Sequence, residues 1–108
     1  MLPLQEAEIS IHELNVIKKI VQLTGKNIKL IAKENLDSQI GVAVNDKTII
    51  GISLHTCEIK YLPESIGSLT SLEFLNLCDN ELETLPESMG DLASLKRLSL
   101  EHNHLTTL

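Results

Sequence analysis

The sequence predicts an α/β fold: a solenoid whose short parallel strands line a concave face, preceded by an N-terminal cap of one α-helix and a β-hairpin. Three observations lead there. Aliphatic residues recur with a period of 23 through residues 49–108. Aromatic content is 2% against 43% hydrophobic residues overall, so the core must be built from Leu, Ile and Val, which stack in rows. The first 48 residues break the period and carry one helical and one alternating pattern instead.

The period is read by aligning IIGISLHTCEIKYLP (49–63), LEFLNLCDNELETLP (72–86) and LKRLSLEHNHLTTL (95–108) without a gap. This divides the second half into units 49–71, 72–94 and a partial 95–108. The inward rows agree chemically: Ile49, Leu72 and Leu95; Ile52, Leu75 and Leu98; Leu54, Leu77 and Leu100; Ile59, Leu82 and Leu105; Leu62, Leu85 and Leu108. Short parallel strands are expected near 52–54, 75–77 and 98–100. The ninth position, Cys57, Asn80 and Asn103, is where the chain turns inward. An Asn amide there can satisfy backbone groups that the turn leaves buried, and Cys57 fills the same small slot. The back halves also match, LPESIGSLTS (62–71) against LPESMGDLAS (85–94). Pro63 and Pro86 open a turn or short helix on the convex side. Gly67 and Gly90 are expected to supply the bend toward the next strand.

The stretch LPESIGSLTSLEFLNLCDNELETLPESMGDLASLKRLSLEHNHL resembles the intracellular leucine-rich repeats of the Ras-suppressor-like and plant Ras-group-like kind. The LxxLxLxx(N/C)xL pattern is specific for fold and implies a protein-binding module, without naming the partner. Residues 8–48 resemble, more loosely, the helix-plus-hairpin cap of small archaeal and microbial leucine-rich-repeat proteins. That pattern often carries Glu-Asn-Gly at the hairpin turn, where this chain has Asn45-Asp46-Lys47, which leaves the turn type open.

Within the cap, 1–48, Ser10 followed by Glu13 forms a capping box, with Ile9 and Leu14 placed as its hydrophobic staple. Leu14, Ile17, Ile20 and Val21 share one helical face and Gly25 fits the C′ position, so a helix is expected over 11–23. A strand is expected over 28–32. A second is expected over 39–44, where Ile40, Val42 and Val44 alternate with Gly41 and Ala43. After the turn, 48–54 follows as the first repeat strand. A helix and hairpin here would cover the apolar end and strand edge that a solenoid otherwise exposes. The opposite end is expected to be open. Leu95, Leu98, Leu100, Leu105 and Leu108 would face along the axis and could support a homodimer or a joint with further repeats.

Charge narrows the partners. Residues 1–48 carry six Lys against six acids. Residues 49–108 carry Lys60, Lys96 and Arg97 against nine acids, so the whole excess of −6 lies there. Nucleic acid is excluded as a partner, because phosphate binding needs a basic surface. No apolar run approaches a membrane span. The N-terminus lacks the basic and apolar regions of a secretory signal, and two cysteines, Cys57 and Cys78, make no disulfide framework. A cytoplasmic setting with free thiols is expected.

The outward strand positions form the expected binding face. The first unit offers Ile50, Ser53 and His55; the second Glu73, Phe74, Asn76 and Asp79; the third Lys96, Arg97, Glu101 and His102. Phe74 reads either as an exposed anchor or as a surface ring packed on the stems of Ile50 and Arg97. His55, Cys78, Asp79 and His102 are ligand types suited to zinc, on strands about 4.8 Å apart. No CxxC or HxxxH spacing is present, however, and side chains on a strand face run parallel, so no metal is assigned. Cys78 beside His55 is the one nucleophile–base pair. An open ribbon excludes little water and there is no glycine-rich phosphate loop, so no catalytic residue and no cofactor are expected.

Overall fold

The computed structural model describes residues 9–26 and 28–106. Helix α1, Ile11–Thr24, is capped as its sequence dictates: the Ser10 hydroxyl accepts from the Glu13 N–H at 3.1 Å, and Gly25 closes it in the left-handed region at φ 67°. Val16, Ile17 and Ile20 are buried on its inner face, with Ile9, Leu14 and Val21 packed at the edge of the same core. The reciprocal half of the capping box is replaced. The Glu13 carboxylate accepts instead from the Ile49 N–H at 2.8 Å and the Thr48 hydroxyl at 2.7 Å, pinning α1 to the first repeat strand.

Four strands form one mixed sheet in chain order: β1 (Gly41–Asn45), β2 (Thr48–Ser53), β3 (Phe74–Asn76) and β4 (Arg97–Ser99). β1 and β2 are an antiparallel hairpin with an irregularity between Ala43 and Val44. Its turn residues Asp46 and Lys47 both have positive φ, 51° and 65°, as a two-residue type I′ connection requires. β2, β3 and β4 run parallel in strict register, Ile52 opposite Leu75 and Leu75 opposite Leu98. β3 and β4 begin one residue earlier than the aliphatic spacing suggests.

The strand expected over 28–32 is reduced to a single parallel bridge, Leu30 to Val42. Ile31 N–H donates to Val42 O and Val42 N–H to Lys29 O, both at 2.9 Å. Beyond that bridge the chain leaves the sheet for a 3-10 turn at Lys33–Asn35.

The aliphatic rows are buried where a following unit covers them, except that in the fifth row Leu62 is buried while Leu85 is only half-buried. Ile49, Leu72, Ile52, Leu75, Leu54, Leu77, Ile59 and Leu82 are each 2% exposed or less. Their third-unit equivalents Leu95, Leu100 and Leu105 are half-buried and Leu98 is 37% exposed, while Leu108 lies outside the described residues. The Asn row does what its chemistry allows. Asn80 Oδ1 accepts from the N–H groups of Cys57 (2.9 Å) and Ile59 (3.1 Å) in the preceding unit. Its Nδ2 donates to Leu54 O, Leu77 O and Cys78 O. Asn103 repeats the pattern on Leu77 O, Leu100 O and the Leu82 N–H, but is only half-buried, not fully buried as its row predicts. Cys57 needs no amide because an antiparallel hairpin, not another unit, precedes it.

Residues one before this row, Thr56, Asp79 and His102, all have positive φ (56°, 58° and 61°), which turns the chain inward. The LPES segments form 3-10 helices, Glu64–Ser68 and Glu87–Asp91, each led by its proline. Gly67 serves close approach rather than a left-handed bend. A Cβ there would lie 2.4 Å from Ser88, whose hydroxyl donates to Glu64 O at 2.6 Å. At Gly90 a Cβ would meet nothing within 4 Å.

Candidate functional site

The outward strand face is not an open ribbon. The segment 31–37 that links the Leu30 bridge to the hairpin crosses it. Leu36 is 5% exposed and stands 2.5 Å from where a Gly51 Cβ would be, so the absence of a side chain at Gly51 lets the connector settle on β2. Ile31, Leu36 and Ala43 form a small second core, against which Ile50 and Phe74 pack. Polar groups tie the same segment down. Asn76 Nδ2 donates to Leu36 O at 3.1 Å and to Ser53 Oγ at 3.4 Å, while its Oδ1 accepts from the Cys78 N–H at 3.1 Å.

Two outward residues therefore depart from the exposure their positions imply. Ser53 is fully buried and Asn76 is 8% exposed, because the connector and its carbonyl cover them. Phe74 is half-buried in the second core rather than standing free, and Lys33 Nζ lies 5.0 Å from its ring centroid. Arg97 reaches back to Asp37, with contacts of 3.2 Å from both terminal guanidinium nitrogens. Lys96 pairs with Glu73 at 3.7 Å.

What remains is a cleft of about 380 Å³ between the connector and β3–β4. Phe74, Leu75 and Leu36 supply its apolar surface; Lys33, Glu34, Asp37, Asn76, Arg97 and Ser99 supply polar groups of both signs. Such a site can take an apolar side chain flanked by hydrogen-bonding groups. Lys33, Glu34, Leu36 and Asp37 escape the sequence reading because 33–38 looks like an ordinary polar loop. The one available signal was weak: a lone Leu36 and, on the strand, Gly51 with no side chain to fill the space.

The other candidates lie outside this cleft. His55 is half-buried, its Nδ1 beside Thr56 Oγ1 at 3.3 Å and its Nε2 buried without a partner among the described residues. Cys78 Sγ donates to Glu101 Oε2 at 3.0 Å, while Asp79 and His102 are exposed on the left-handed turns. Among the described residues no three His, Cys, Asp or Glu side chains are placed to share a metal ion. Burial pushes the Cys78 thiol up, and the hydrogen bond and charge of Glu101 add to it, the reverse of what a nucleophile needs. Burial likewise raises Cys57, and both cysteines are free. Among the described residues no helix is long and apolar enough to cross a membrane.

A family model described as leucine rich repeat matches residues 52–105, half of the chain. No curated protein and no solved structure matches it.

Proposed function

Because the chain belongs to the leucine-rich-repeat family, whose domains generally mediate protein–protein interaction, we propose that it is a non-catalytic module binding a protein partner through its concave strand face. The cleft beside Phe74 carries this reading: it is the place on that face where apolar surface and polar groups of both signs converge. An apolar side chain of the partner would enter beside Phe74 and Leu36. Arg97, Asp37, Lys33 and Glu34 would form the polar rim, and because they nearly cancel in charge, the specificity lies in hydrogen bonding and shape. The repeat is assigned to the intracellular 23-residue type on its paired turns LPESIG (62–67) and LPESMG (85–90). Two free thiols suit a cytoplasmic setting.

Affinity capture from the source cells, with the intact chain as bait, tests this. Ser99→Arg fills the cleft and should lose a protein that wild type retains; His12→Ala, exposed on α1 and lining neither face, should keep it. Equal capture by Ser99→Arg, or loss with His12→Ala, would sink the assignment of the face.

A second reading has its own observation. Leu98 is 37% exposed, Leu95, Leu100 and Leu105 are half-buried, and no described element covers the outer edge of β4. A dimer or larger assembly joined there would complete that burial. Light scattering of wild type against Leu98→Lys decides it: equal monomer masses at all concentrations exclude self-association at this edge.

A further inference from the structure

Tyr61 is 58% exposed, one of four large apolar side chains that stand out from the described surface. The repeat does not require it: the same position in the next unit is Thr84, also exposed. Tyr61 stands between two depressions on the 3-10 side of the molecule. The smaller, of about 210 Å³, runs from Tyr61 to Leu23, another of the four, at the end of α1. The larger, of about 650 Å³, has Tyr61, Pro63, Leu85 and Pro86 as its apolar lining and Glu64 and Glu87 among its charges. An exposed tyrosine between two grooves, one walled by prolines, offers flat apolar area with a polar tip.

The charge around it is mostly negative, although Lys60 lines the smaller depression beside Glu58. Residues 57–71 and 80–94 hold Glu58, Glu64, Glu81, Glu83, Glu87 and Asp91 against Lys60 alone. None of the six acids takes part in the ion pairs of the strand face, Lys96 with Glu73 and Arg97 with Asp37. Lys19 of α1 reaches the larger groove as a single cation. On the strand face Lys96 and Arg97 are thus already taken by Glu73 and Asp37, while the 3-10 side leaves its carboxylates to solvent or to a partner.

We propose that this double groove docks an extended basic segment of another protein. Leu or Pro side chains of the segment seat on either side of Tyr61, and its Lys or Arg side chains meet Glu58, Glu64 and Glu87. Apolar contact with the ring and prolines supplies the affinity, and the carboxylates steer the approach and reject acidic segments. This surface is independent of the cleft beside Phe74, so one chain can hold two partners at once.

A random peptide library displayed on phage and selected against the intact chain tests it. Enriched peptides should combine Lys or Arg with Leu or Pro and bind Phe74→Ala as they bind wild type. Tyr61→Ala should weaken them by about tenfold. The surface double variant Glu64→Lys with Glu87→Lys should do the same and guards against misfolding of the first. No enrichment, enrichment of acidic or uncharged peptides, or binding indifferent to both variants overturns the proposal. A dimer that Tyr61→Ala dissociates also overturns it, by making a second copy the occupant.

Discussion

Glu13 accepts the backbone N–H of Ile49 at 2.8 Å, across 36 residues of sequence, and the same carboxylate takes the Thr48 hydroxyl. A helix residue thereby completes the hydrogen bonding at the start of β2, where the antiparallel hairpin hands over to the parallel units. Both bonds are to an ionised acceptor in a partly buried place, where hydrogen bonds are stronger than between neutral groups. Glu13→Ala should destabilise the chain by about 3 kcal/mol, and Glu13→Gln by less, since the amide keeps one acceptor. Ser10→Ala, which removes only the N-cap, should cost about 1 kcal/mol. Urea denaturation followed by circular dichroism ranks the three; a Ser10 effect equal to that of Glu13 would mean that the carboxylate acts only within the helix.

Asn80 and Asn103 occupy the same position in successive units but carry different loads. Asn80 is 5% exposed and bonds two N–H and three carbonyl groups; Asn103 is half-buried and bonds three groups in all. Stripping the amide from a buried position leaves each partner desolvated at roughly 1–3 kcal/mol per group. Asn80→Ala should therefore unfold the chain at room temperature or cost at least about 4 kcal/mol, whereas Asn103→Ala should cost about 1–2 kcal/mol. Equal losses in chemical denaturation would show that burial does not set the difference.

Gly67 and Gly90 test how far stacking explains the repeated LPESxG turn. Gly67→Ala forces a Cβ to within 2.4 Å of Ser88 and should cost roughly 2 kcal/mol or more, read as a lower melting temperature. Gly90→Ala meets open space at a position with ordinary φ. It should be neutral or stabilise by up to about 1 kcal/mol through the unfolded chain. A Gly67→Ala variant as stable as wild type would mean that the second unit slides freely on the first.

The thiols should react in a fixed order. Cys57 is 2% exposed and Cys78 half-exposed, so a thiol reagent should modify Cys78 in the native chain and Cys57 only on unfolding. Burial first, then the bonded and charged Glu101, holds the Cys78 thiol protonated beyond its usual range, so its reaction should accelerate only as pH rises into the alkaline region. Glu101→Gln removes the charge and should quicken modification at pH near 8. Both thiols have folded-state pKa values raised above the ordinary range. Their ionisation therefore favours unfolding: stability is intact below the ordinary thiol pKa and falls as pH climbs through the folded values. Stopped-flow labelling that is indifferent to Glu101→Gln would remove Glu101 from this account.

Much of this architecture is local or periodic and so is written along the chain. The α1 caps, the alternation of β1 and the rows from Ile49 to Leu82 follow from backbone propensity and from identical side chains meeting at a fixed spacing. A residue in one unit needs only its equivalent in the next to know its environment. Three decisions are not of that kind. The connector lies across β2 and β3, burying Ser53 and Asn76 and deciding between the two readings of Phe74 by packing the ring against a second core. The Glu13 carboxylate leaves its own helix end for Thr48 and Ile49. Tyr61 and Leu23, far apart in sequence, flank one groove. Each joins an aperiodic segment to a distant surface, where no repeat spacing relates the partners, and the deciding quantity is the shape of the packed units themselves: a missing side chain at Gly51, an unfilled N–H at Ile49, an open wall beside Pro63.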